Sequence, residues 1–255
     1  MPRSEVVSNG VGLGYGNGAN QALEKVATEF ALLVNPDAVL RAGALEALVA
    51  AADAYPEAAM LGPRLFHPDG TVALSHDAPL FRRGGLRRSP SGEAPPEGPC
   101  CVGYLSGAVT LVRMAPLRAT GFYDPAFFLY YEDDDLCLRL RAAGYQLVLV
   151  PEAGADHLGG GSVRPGWGSH WEKFFHMAWS RLYIEAKYRG AGASRRLAWL
   201  NALCFGAKAL GYGIAVNPKK AVRDAARTAG SLAYLFGRPA SRTVRRARPS
   251  SSPLG

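Results

Sequence analysis

The sequence lacks the features that mark secreted, disulfide-bonded or membrane-spanning proteins. Its 255 residues include only four cysteines and no C-x-x-C spacing, which favours reduced, buried thiols over disulfides or zinc ligands. No apolar segment follows residues 1–5, so no signal peptide is expected. A mostly apolar stretch at residues 197–216 is interrupted by Asn201, Lys208 and three glycines, so we expect no spanning helix there. Together these absences favour a cytoplasmic protein.

Acidic residues are scarce in the C-terminal part of the chain. Residues 195–255 hold 12 Lys/Arg and one acid, a net charge of +11, whereas residues 1–194 carry −3, which gives +8 overall. A basic segment suits an anionic membrane surface or nucleic acid. No nucleic-acid-reading module is visible, so no specific nucleic-acid partner is expected. The alternative is a solubilising tail, and residues 238–255 are expected to be disordered.

Four consecutive acids, Glu132 to Asp135, follow two aromatic pairs and begin a helical pattern that stops at Gly144. Acids in a first turn face the positive end of the helix dipole, which is one explanation for them. Four in a row exceed what a helix start needs, because like charges repel. Crowded carboxylates beside aromatic rings are typical of sites that use carboxylates as bases or metal ligands. Both interpretations stay open.

Glycine is concentrated near the N-terminus, where five of residues 9–18 are glycine and a helical pattern over residues 19–30 follows. A glycine-rich loop before a helix N-terminus is typical of phosphate binding, and a flexible loop is the alternative. Gly14, Gly16 and Ala19 also fit a relaxed dinucleotide fingerprint, with Asp37 near the position of its ribose-binding acid.

An apolar strand at residues 31–34 runs into Asn35, Pro36 and Asp37. Pro36 cannot extend a strand ladder, so the strand should end there and place Asp37 at its C-terminal edge. Ligands bind at that edge in open α/β sheets. Asp37 is therefore a candidate ligand of a metal that bridges diphosphate oxygens, or a turn residue that bonds its own backbone.

The remaining pattern alternates helices and strands. We predict helices at residues 42–54 and 171–188, strands at 60–61, 64–66, 71–75, 102–112 and 145–150, and a further short strand at 5–8. Pro151 should end the strand at 145–150 and leave His157 in a loop, as a metal ligand or a structural residue. Residues 77–99 are a long Pro/Gly/Arg-rich stretch, typical of a lid or of disorder.

Taken together, these segments resemble the family 2 glycosyltransferases, particularly the bacterial rhamnosyltransferase-like branch, from about residue 8 to 190. The order and spacing of the motifs carry the resemblance. In chain order they are Asn9 with Gly12, residues 16–20, residues 33–38, residues 62–64 with Asp69 and Gly70, residues 105–108, residues 121–124, residues 127–139, Gly144 with Tyr145, residues 150–153, and His157 with residues 159–160.

The resemblance implies an α/β fold of the GT-A type, with a mixed sheet flanked by helices. It places this domain at residues 1–190, a helical extension at 191–237 and the tail at 238–255. It also implies an inverting enzyme that moves rhamnose or a similar hexose from a nucleotide-diphosphate donor to a saccharide or lipid-linked acceptor in cell-envelope polysaccharide synthesis. The implied cofactor is a divalent cation, Mg²⁺ or Mn²⁺.

Carried over residue by residue, the resemblance assigns Asp37 and His157 to the metal. It makes Asp133 the general base, with Glu132 contacting the acceptor or the sugar. The implied substrate-binding residues are Asn9, Gly12, Gly14, Asn17, Asn20, Asn35, Ser106, Gly107 and Ala108.

The sequence departs from the family at its start. Family members begin with two βα units that hold the nucleobase and ribose, whereas this sequence starts at what resembles the third strand, so we expect it to be a truncated form. One alternative is a non-catalytic relative that acts as a binding or scaffold module. Another is a dinucleotide-dependent oxidoreductase, which leaves residues 131–135 and His157 without a role.

The expected location is the cytoplasm, with peripheral contact at the inner face of the plasma membrane through residues 195–248. There the apolar stretch at 197–216 lies beside Lys219, Lys220, Arg223 and Arg227. The alternative is a helical hairpin packed on the domain, with its charges in solvent.

Overall fold

Helices and strands alternate along the chain in the computed structural model, which describes residues 4–8, 10–83, 96–158 and 166–241. The helices are α1 Tyr15–Leu23, α2 Ala44–Ala54, α3 Leu80–Arg83, α4 Met114–Thr120, α5 Glu132–Ala142, α6 Trp167–Arg189, α7 Ala191–Ile214 and α8 Pro218–Leu235. The strands are β1 Phe30–Val34, β2 Ala38–Leu40, β3 Ala58–Phe66, β4 Val72–Ala73, β5 His76–Asp77, β6 Cys100–Cys101, β7 Tyr104–Leu105, β8 Val109–Arg113 and β9 Gln146–His157.

The chain forms two compact units. The sheet unit comprises the described residues of 19–123 and 133–165, and the helical unit those of 1–18, 124–132 and 166–255. Helix α6, which the sequence placed in the first domain, thus shares a unit with α7 and α8. The domain limits at residues 190 and 237 stay predictions.

The sheet unit is built on a mixed sheet with the strand order β1-β8-β3-β9-β2, to which β4 adds on β3 and β6 on β9. Strand β8 runs antiparallel to β1 and β3, and β3 runs parallel to β9, so β1, β3 and β9 share one direction. Strands β5 and β7 form a separate two-stranded sheet. The α/β class is confirmed.

Helix α2 covers one face of this sheet. Its Leu48 and Ala52 are fully buried and pack in a cluster with Leu61, Leu111 and Val148 from three strands. Leu45 and Val49, which continue the apolar pattern of this helix, are exposed. The apolar residues of this helix cover more than one of its faces. The pattern alone therefore does not indicate which of them pack against the sheet.

Strand β9 extends seven residues past its predicted end, and His157 is its last residue rather than part of a loop. The predicted stop at Pro151 was wrong because the ladder with β3 is irregular at this point. Pro63 of β3 pairs with Val150, and the next residue of β3, Arg64, pairs with Gly154. Residues 151–153 of β9 therefore bulge out of the ladder. A proline inside a bulge removes no ladder hydrogen bond.

Three further boundaries differ from the predictions. Helix α1 begins at Tyr15 and ends at Leu23, and Phe30, predicted to be helical, pairs with Arg113 as the first residue of β1. Residues 5–8 form no strand. Residues 197–216 are not a hairpin, because α7 continues through Gly206, Gly211 and Gly213.

The cysteines are less buried than the sequence predicts. The four cysteines all lie in the described ranges and form no disulfide there, but only Cys137 is buried, and Cys101 and Cys204 are exposed. The predicted lid at 77–99 contains part of β5 and all of α3, while its residues 84–95 lie outside the described part, as do residues 242–255 of the predicted tail. Within the described ranges, no helix has the combined length and hydropathy needed to cross a bilayer.

The helical unit is held together by close contacts between α6, α7 and α8. Ser194 donates a hydrogen bond from Oγ to the carbonyl of Leu182 at 2.6 Å. Within α8, Asp224 is fully buried and accepts hydrogen bonds from Arg223 at 2.8–2.9 Å and from Arg227 at 3.3 Å. At Gly230, a Cβ atom would collide with the backbone carbonyl of Phe175, so α8 and α6 approach too closely for a side chain.

We predict that Gly230→Ala destabilises the protein by about 1–3 kcal/mol, because the added methyl group must push two helices apart. The matched control is Gly211→Ala in α7, where a Cβ meets nothing within 4 Å. That change should be neutral or stabilise by up to about 1 kcal/mol through helix propensity. Urea unfolding followed by circular dichroism measures both. Equal effects of the two substitutions would contradict the close crossing.

Candidate active site

Several predicted site residues lie at one edge of the sheet. Strands β1 and β9 are parallel, so Asn35 and Asp37, after β1, and His157, at the end of β9, come to the same edge. Strand β8 runs the other way and brings Gly107 and Ala108, which precede it, to that edge as well. The amide of Asn35 donates to the carbonyl of Ala108 at 2.8 Å, which extends the β1–β8 pairing by one step.

Asp37 and His157 lie side by side, although 120 positions separate them in the sequence. Asp37 Oδ1 lies 3.5 Å from His157 Nε2, and the Asp37 side chain is only 5% exposed. Ala38 pairs with His157 across β2 and β9, and the amide of Leu158 donates to the carbonyl of Asp37 at 3.0 Å. Backbone pairing therefore fixes the two side chains within reach of one shared ligand.

The composition of this edge limits the metal sites it can form. Among the described residues, no group of three or more His, Cys, Asp or Glu side chains is placed to hold a metal ion. A cation at Asp37 and His157 would thus take most of its ligands from substrate or water. Mg²⁺ is commonly bound in this way, through one or two carboxylates and substrate phosphates.

Asn35 has a buried side-chain acceptor. Its Oδ1 atom is shielded from solvent and has no hydrogen-bond partner in the described part of the protein. A buried polar atom without a partner costs about 1–3 kcal/mol, and such atoms are often satisfied by an ion, a water or a ligand. Asn35 therefore fits a site at which a ligand supplies the missing donor or cation.

Asp133 occupies the same region of the sheet unit, at the start of α5. Its Oδ2 accepts a hydrogen bond from the Tyr104 hydroxyl at 2.6 Å and a longer one from the Gly107 amide at 3.4 Å. Its Oδ1 accepts from the amide of Asp134 at 2.9 Å. The carboxylate is thus oriented on both oxygens, beside the segment that contacts Asn35.

Tyr104 was missed by the sequence reasoning. Burial, followed by the charges of Asp133 and Asp134, raises the pKa of its hydroxyl far above the ordinary range. The hydroxyl therefore stays protonated and acts as the donor toward Asp133. The only signal in the sequence was a tyrosine three residues before Gly107 in a predicted strand, which does not reveal the partner.

The other acids of the run have different surroundings. Asp135 is fully buried and pairs with Arg139 at 2.9 Å. Arg139 also donates to the carbonyls of Thr120, Gly121 and Phe122 at 2.6–2.9 Å. Asp135 and Arg139 therefore hold the loop after α4, a structural role that the sequence did not distinguish from that of Asp133.

Glu132 belongs to the helical unit and is 6% exposed. The two residues before it, Tyr130 and Tyr131, have φ values of 67° and 68°, a left-handed conformation that is unusual for tyrosine. Burial and, to a smaller extent, the charge of Glu132 raise the pKa of Tyr130. Backbone strain of this kind is concentrated at functional sites. The contact of Glu132 with acceptor or sugar stays a prediction.

The glycine-rich segment is tied to the chain near residue 127. Gly14 has a φ of 83°, and a Cβ atom there would collide with the carbonyl of Phe128. Asn17 donates to the carbonyls of Leu13, Pro125 and Phe127 at 3.0–3.3 Å. In the helical unit these two predicted substrate contacts are therefore engaged in internal packing.

The other predicted contacts at the N-terminus differ from one another. At Gly12, in the helical unit, an added Cβ atom would lie 3.9 Å from the ring of Phe128. In the sheet unit, Asn20 donates to the carbonyl of Tyr123 at 2.8 Å and accepts from its amide at 3.0 Å, so its side chain holds the loop before Asp124. Asn9 lies outside the described residues. Their binding of substrate stays a prediction.

Comparison with known proteins relates the N-terminal part of the chain to a family. Residues 1–110 match the family model described as "Glycosyl transferase family 2". This region belongs to glycosyl transferase family 2. The match includes Asp37 and residues 106–108, whereas Asp133 and His157 lie beyond it. The mixed sheet with flanking helices and a helical C-terminal region has the GT-A-like, α/β architecture that the resemblance implied, and the family match favours a transferase over the oxidoreductase alternative.

Two curated proteins that match part of this chain are named as rhamnosyltransferases. "N-acetylglucosaminyl-diphospho-decaprenol L-rhamnosyltransferase" of Mycobacterium tuberculosis (strains CDC 1551 / Oshkosh and ATCC 25618 / H37Rv) is 33% identical over 183 residues, covering 61% of this chain and 59% of the relative. "Rhamnosyltransferase WbbL" of Escherichia coli (strain K12) is 41% identical over 56 residues, 22% of this chain and 21% of the relative. The chain therefore spans less than two thirds of the length of these relatives.

One solved structure is similar over most of the chain. It is described as "Mannosyltransferase PcManGT from Pyrobaculum calidifontis in complex with GDP-Man and Mn2+". The TM-score is 0.46 at 14% sequence identity, over 88% of this chain and 67% of that protein. A similarity this distant supports no conclusion about donor, acceptor or metal in the present chain.

We predict that Asp135→Asn destabilises the protein by about 3–5 kcal/mol, because it leaves the charge of Arg139 uncompensated at a buried position. Asp133→Asn serves as the matched control two residues away. Its amide oxygen still accepts from Tyr104, so the loss should stay below about 1.5 kcal/mol. Thermal or urea unfolding of both variants tests the division of roles, and a larger loss for Asp133→Asn would refute it.

Proposed function

We propose that this protein transfers a sugar from a nucleoside-diphosphate donor to an acceptor hydroxyl, with inversion at the anomeric carbon. The observation that carries the proposal is the meeting of Asp37, His157 and Asn35 with the Asp133 region at one edge of the sheet. One group of side chains suits a diphosphate with its cation, and the other suits proton transfer.

The Asp37 side is suited to the leaving group. Asp37 and His157 are the residues that would hold a divalent cation. Their carboxylate oxygen and imidazole nitrogen fit Mg²⁺ or Mn²⁺. The buried Oδ1 atom of Asn35, two residues before Asp37, is a further oxygen acceptor. A cation bound there neutralises charge that develops on a departing diphosphate. Because Asp37 is nearly buried, its charge acts with little screening by solvent.

The Asp133 side is suited to the base. In the proposed reaction, the Asp133 carboxylate takes the proton of the acceptor hydroxyl, whose oxygen forms the new bond to the anomeric carbon. The bond from that carbon to the diphosphate oxygen breaks on the opposite face, and the electron pair leaves with the diphosphate. The hydrogen bonds from Tyr104, Gly107 and Asp134 orient the carboxylate and leave it a lone pair for this proton.

The relatives support a narrower substrate class. Both are named as rhamnosyltransferases, and the name of the mycobacterial relative specifies a diphospho-decaprenol acceptor. We propose rhamnose or a similar hexose as the transferred sugar and a saccharide on a lipid carrier as the acceptor, in cell-envelope polysaccharide synthesis. Such an acceptor lies at a membrane surface, so peripheral contact through residues 195–248 on the cytoplasmic face belongs to the proposal.

We expect Asp133→Asn to lower turnover about 10²- to 10⁴-fold, the usual contribution of a general base, while donor binding survives. The assay uses a panel of nucleotide sugars with a lipid-linked saccharide acceptor, and donor binding is followed by calorimetry. Asp53→Asn, an exposed acid on α2 in the same unit, is the control and should not change turnover. Turnover of Asp133→Asn near the wild-type level would remove Asp133 from the role. Donor binding without any turnover by the wild type would favour the non-catalytic alternative.

Asp37→Ala and His157→Ala should each weaken Mn²⁺ binding in the presence of a nucleoside diphosphate by at least roughly 10- to 100-fold, since even changes in outer-shell partners have effects of that size. Electron paramagnetic resonance of free Mn²⁺ measures the affinity directly and does not depend on turnover. His67→Ala, at an exposed turn of the same unit, is the matched control. Unchanged Mn²⁺ affinity in both variants would show that the pair does not hold the cation.

A further inference from the structure

Helix α7 buries small side chains and exposes several of its large apolar ones. Trp199, Leu203, Leu210 and Ile214 are 52%, 68%, 72% and 85% exposed. The buried positions of the helix are the small residues Ser194, Ala198 and Ala202. This arrangement is the reverse of an ordinary surface helix, in which large apolar residues face the core and polar residues face water.

The four exposed residues form one continuous surface. At 3.6 residues per turn, Trp199, Leu203, Leu210 and Ile214 fall within an arc of about 60°. We call these four residues the α7 stripe. Single exposed apolar side chains are common, but an aligned row of large ones marks a surface that meets a partner or a membrane.

An apolar groove continues the stripe. It has a volume of about 620 Å³ and lies in the helical unit, where Leu210 is one of its lining residues. Val222 and Leu232 of α8 and Trp171 of α6 line it as well, and Thr228 is its one hydroxyl-bearing side chain. The apolar surface therefore extends from α7 toward the neighbouring helices.

The charges on α7 and α8 are almost all of one sign. Helices α7 and α8 together contain seven Lys/Arg and one acid, Asp224. Asp224 is buried and already paired with Arg223 and Arg227, so it offers no negative charge to a partner. Lys219 and Lys220 are exposed at the start of α8, which follows the end of the stripe by four residues.

We propose that the α7 stripe docks this protein on an anionic lipid bilayer, with α7 lying in the interface. Large apolar side chains beside a row of cations are the pattern of interfacial helices, since the apolar residues enter the acyl boundary while Lys and Arg meet headgroup phosphates. A symmetric pairing of two copies through the stripe would bring the same cations together, which disfavours a second copy as occupant. The inference deepens the proposed function, because it rests on an acceptor carried by a lipid.

The test is co-sedimentation of the full chain with sucrose-loaded vesicles. Vesicles of phosphatidylethanolamine with phosphatidylglycerol are compared with vesicles of phosphatidylcholine alone. We expect binding to the anionic vesicles, weaker binding to the neutral ones, and release of bound protein as salt is raised. Binding that is equal on both vesicle types, or no binding at all, would overturn the proposal.

The double variant Leu203→Glu with Leu210→Glu should bind anionic vesicles at least tenfold more weakly. Both positions are exposed, so circular dichroism should remain unchanged. The matched control replaces two exposed apolar residues of the sheet unit, Val39→Glu with Leu74→Glu, which are 65% and 62% exposed and add the same charge. Equal loss in both double variants would show that added negative charge, not the stripe, determines binding, and would overturn the proposal.

Two further measurements separate the other occupants. If light scattering finds a dimer that only the Leu203→Glu with Leu210→Glu variant converts to a monomer, and vesicles do not bind, the stripe joins two copies. If a chain ending at residue 241 loses vesicle binding while the double variant keeps it, residues 242–255 are the anchor. Either result overturns the proposal. Vesicle binding through the stripe by a protein without sugar transfer would instead refute the proposed function alone.

Discussion

The pairing of β1 with β8 determines where the candidate site forms. It aligns Val34 with Val109. One further hydrogen bond, from the Asn35 amide to the Ala108 carbonyl, extends the pairing by one residue on each strand. Because side chains alternate along a strand, a shift of one residue would turn each of them to the opposite face. This single register places Asn35 beside Ala108, the residue that follows Gly107, which contacts Asp133.

The acids of residues 132–135 are stabilised by different partners, although they follow one another in the sequence. Four carboxylates in succession repel, and burial strengthens that repulsion. Here the surroundings differ: Arg139 compensates Asp135, while Tyr104 and two amides donate to Asp133. A carboxylate that is oriented by neutral donors keeps its charge available to a substrate, whereas one that is paired with arginine does not. The difference in partner, more than burial, therefore distinguishes Asp133, the base that we propose, from Asp135 with its structural ion pair.

Local features were the ones that the sequence predicted well. The strand at β1 and the placement of Asp37 at the sheet edge follow from an apolar run ended by Pro36, which needs no knowledge of distant residues. The extension of β9 to His157 depends on a bulge opposite Pro63 and Arg64, and the Tyr104–Asp133 bond joins residues 29 positions apart. Such features depend on tertiary pairing that a single sequence does not encode in any short window, so they were missed or misplaced. The continuous α7 also depends on its packing, since tertiary contacts override the low helix propensity of its interior glycines.

The helical unit explains why α7 can present large apolar residues without losing its fold. Its inward contacts use small groups: Ser194 bonds the Leu182 carbonyl, Gly206 lies within 3.9 Å of the Thr228 side chain, measured from the position of an added Cβ, and Gly230 permits close approach of α8 to α6. Small residues bring helix backbones close enough for extensive van der Waals contact. The packing of the bundle therefore does not depend on Trp199, Leu203, Leu210 or Ile214. Residues that are unnecessary for the fold and unfavourable in water require another environment, and the cations that follow them on α8 indicate which one.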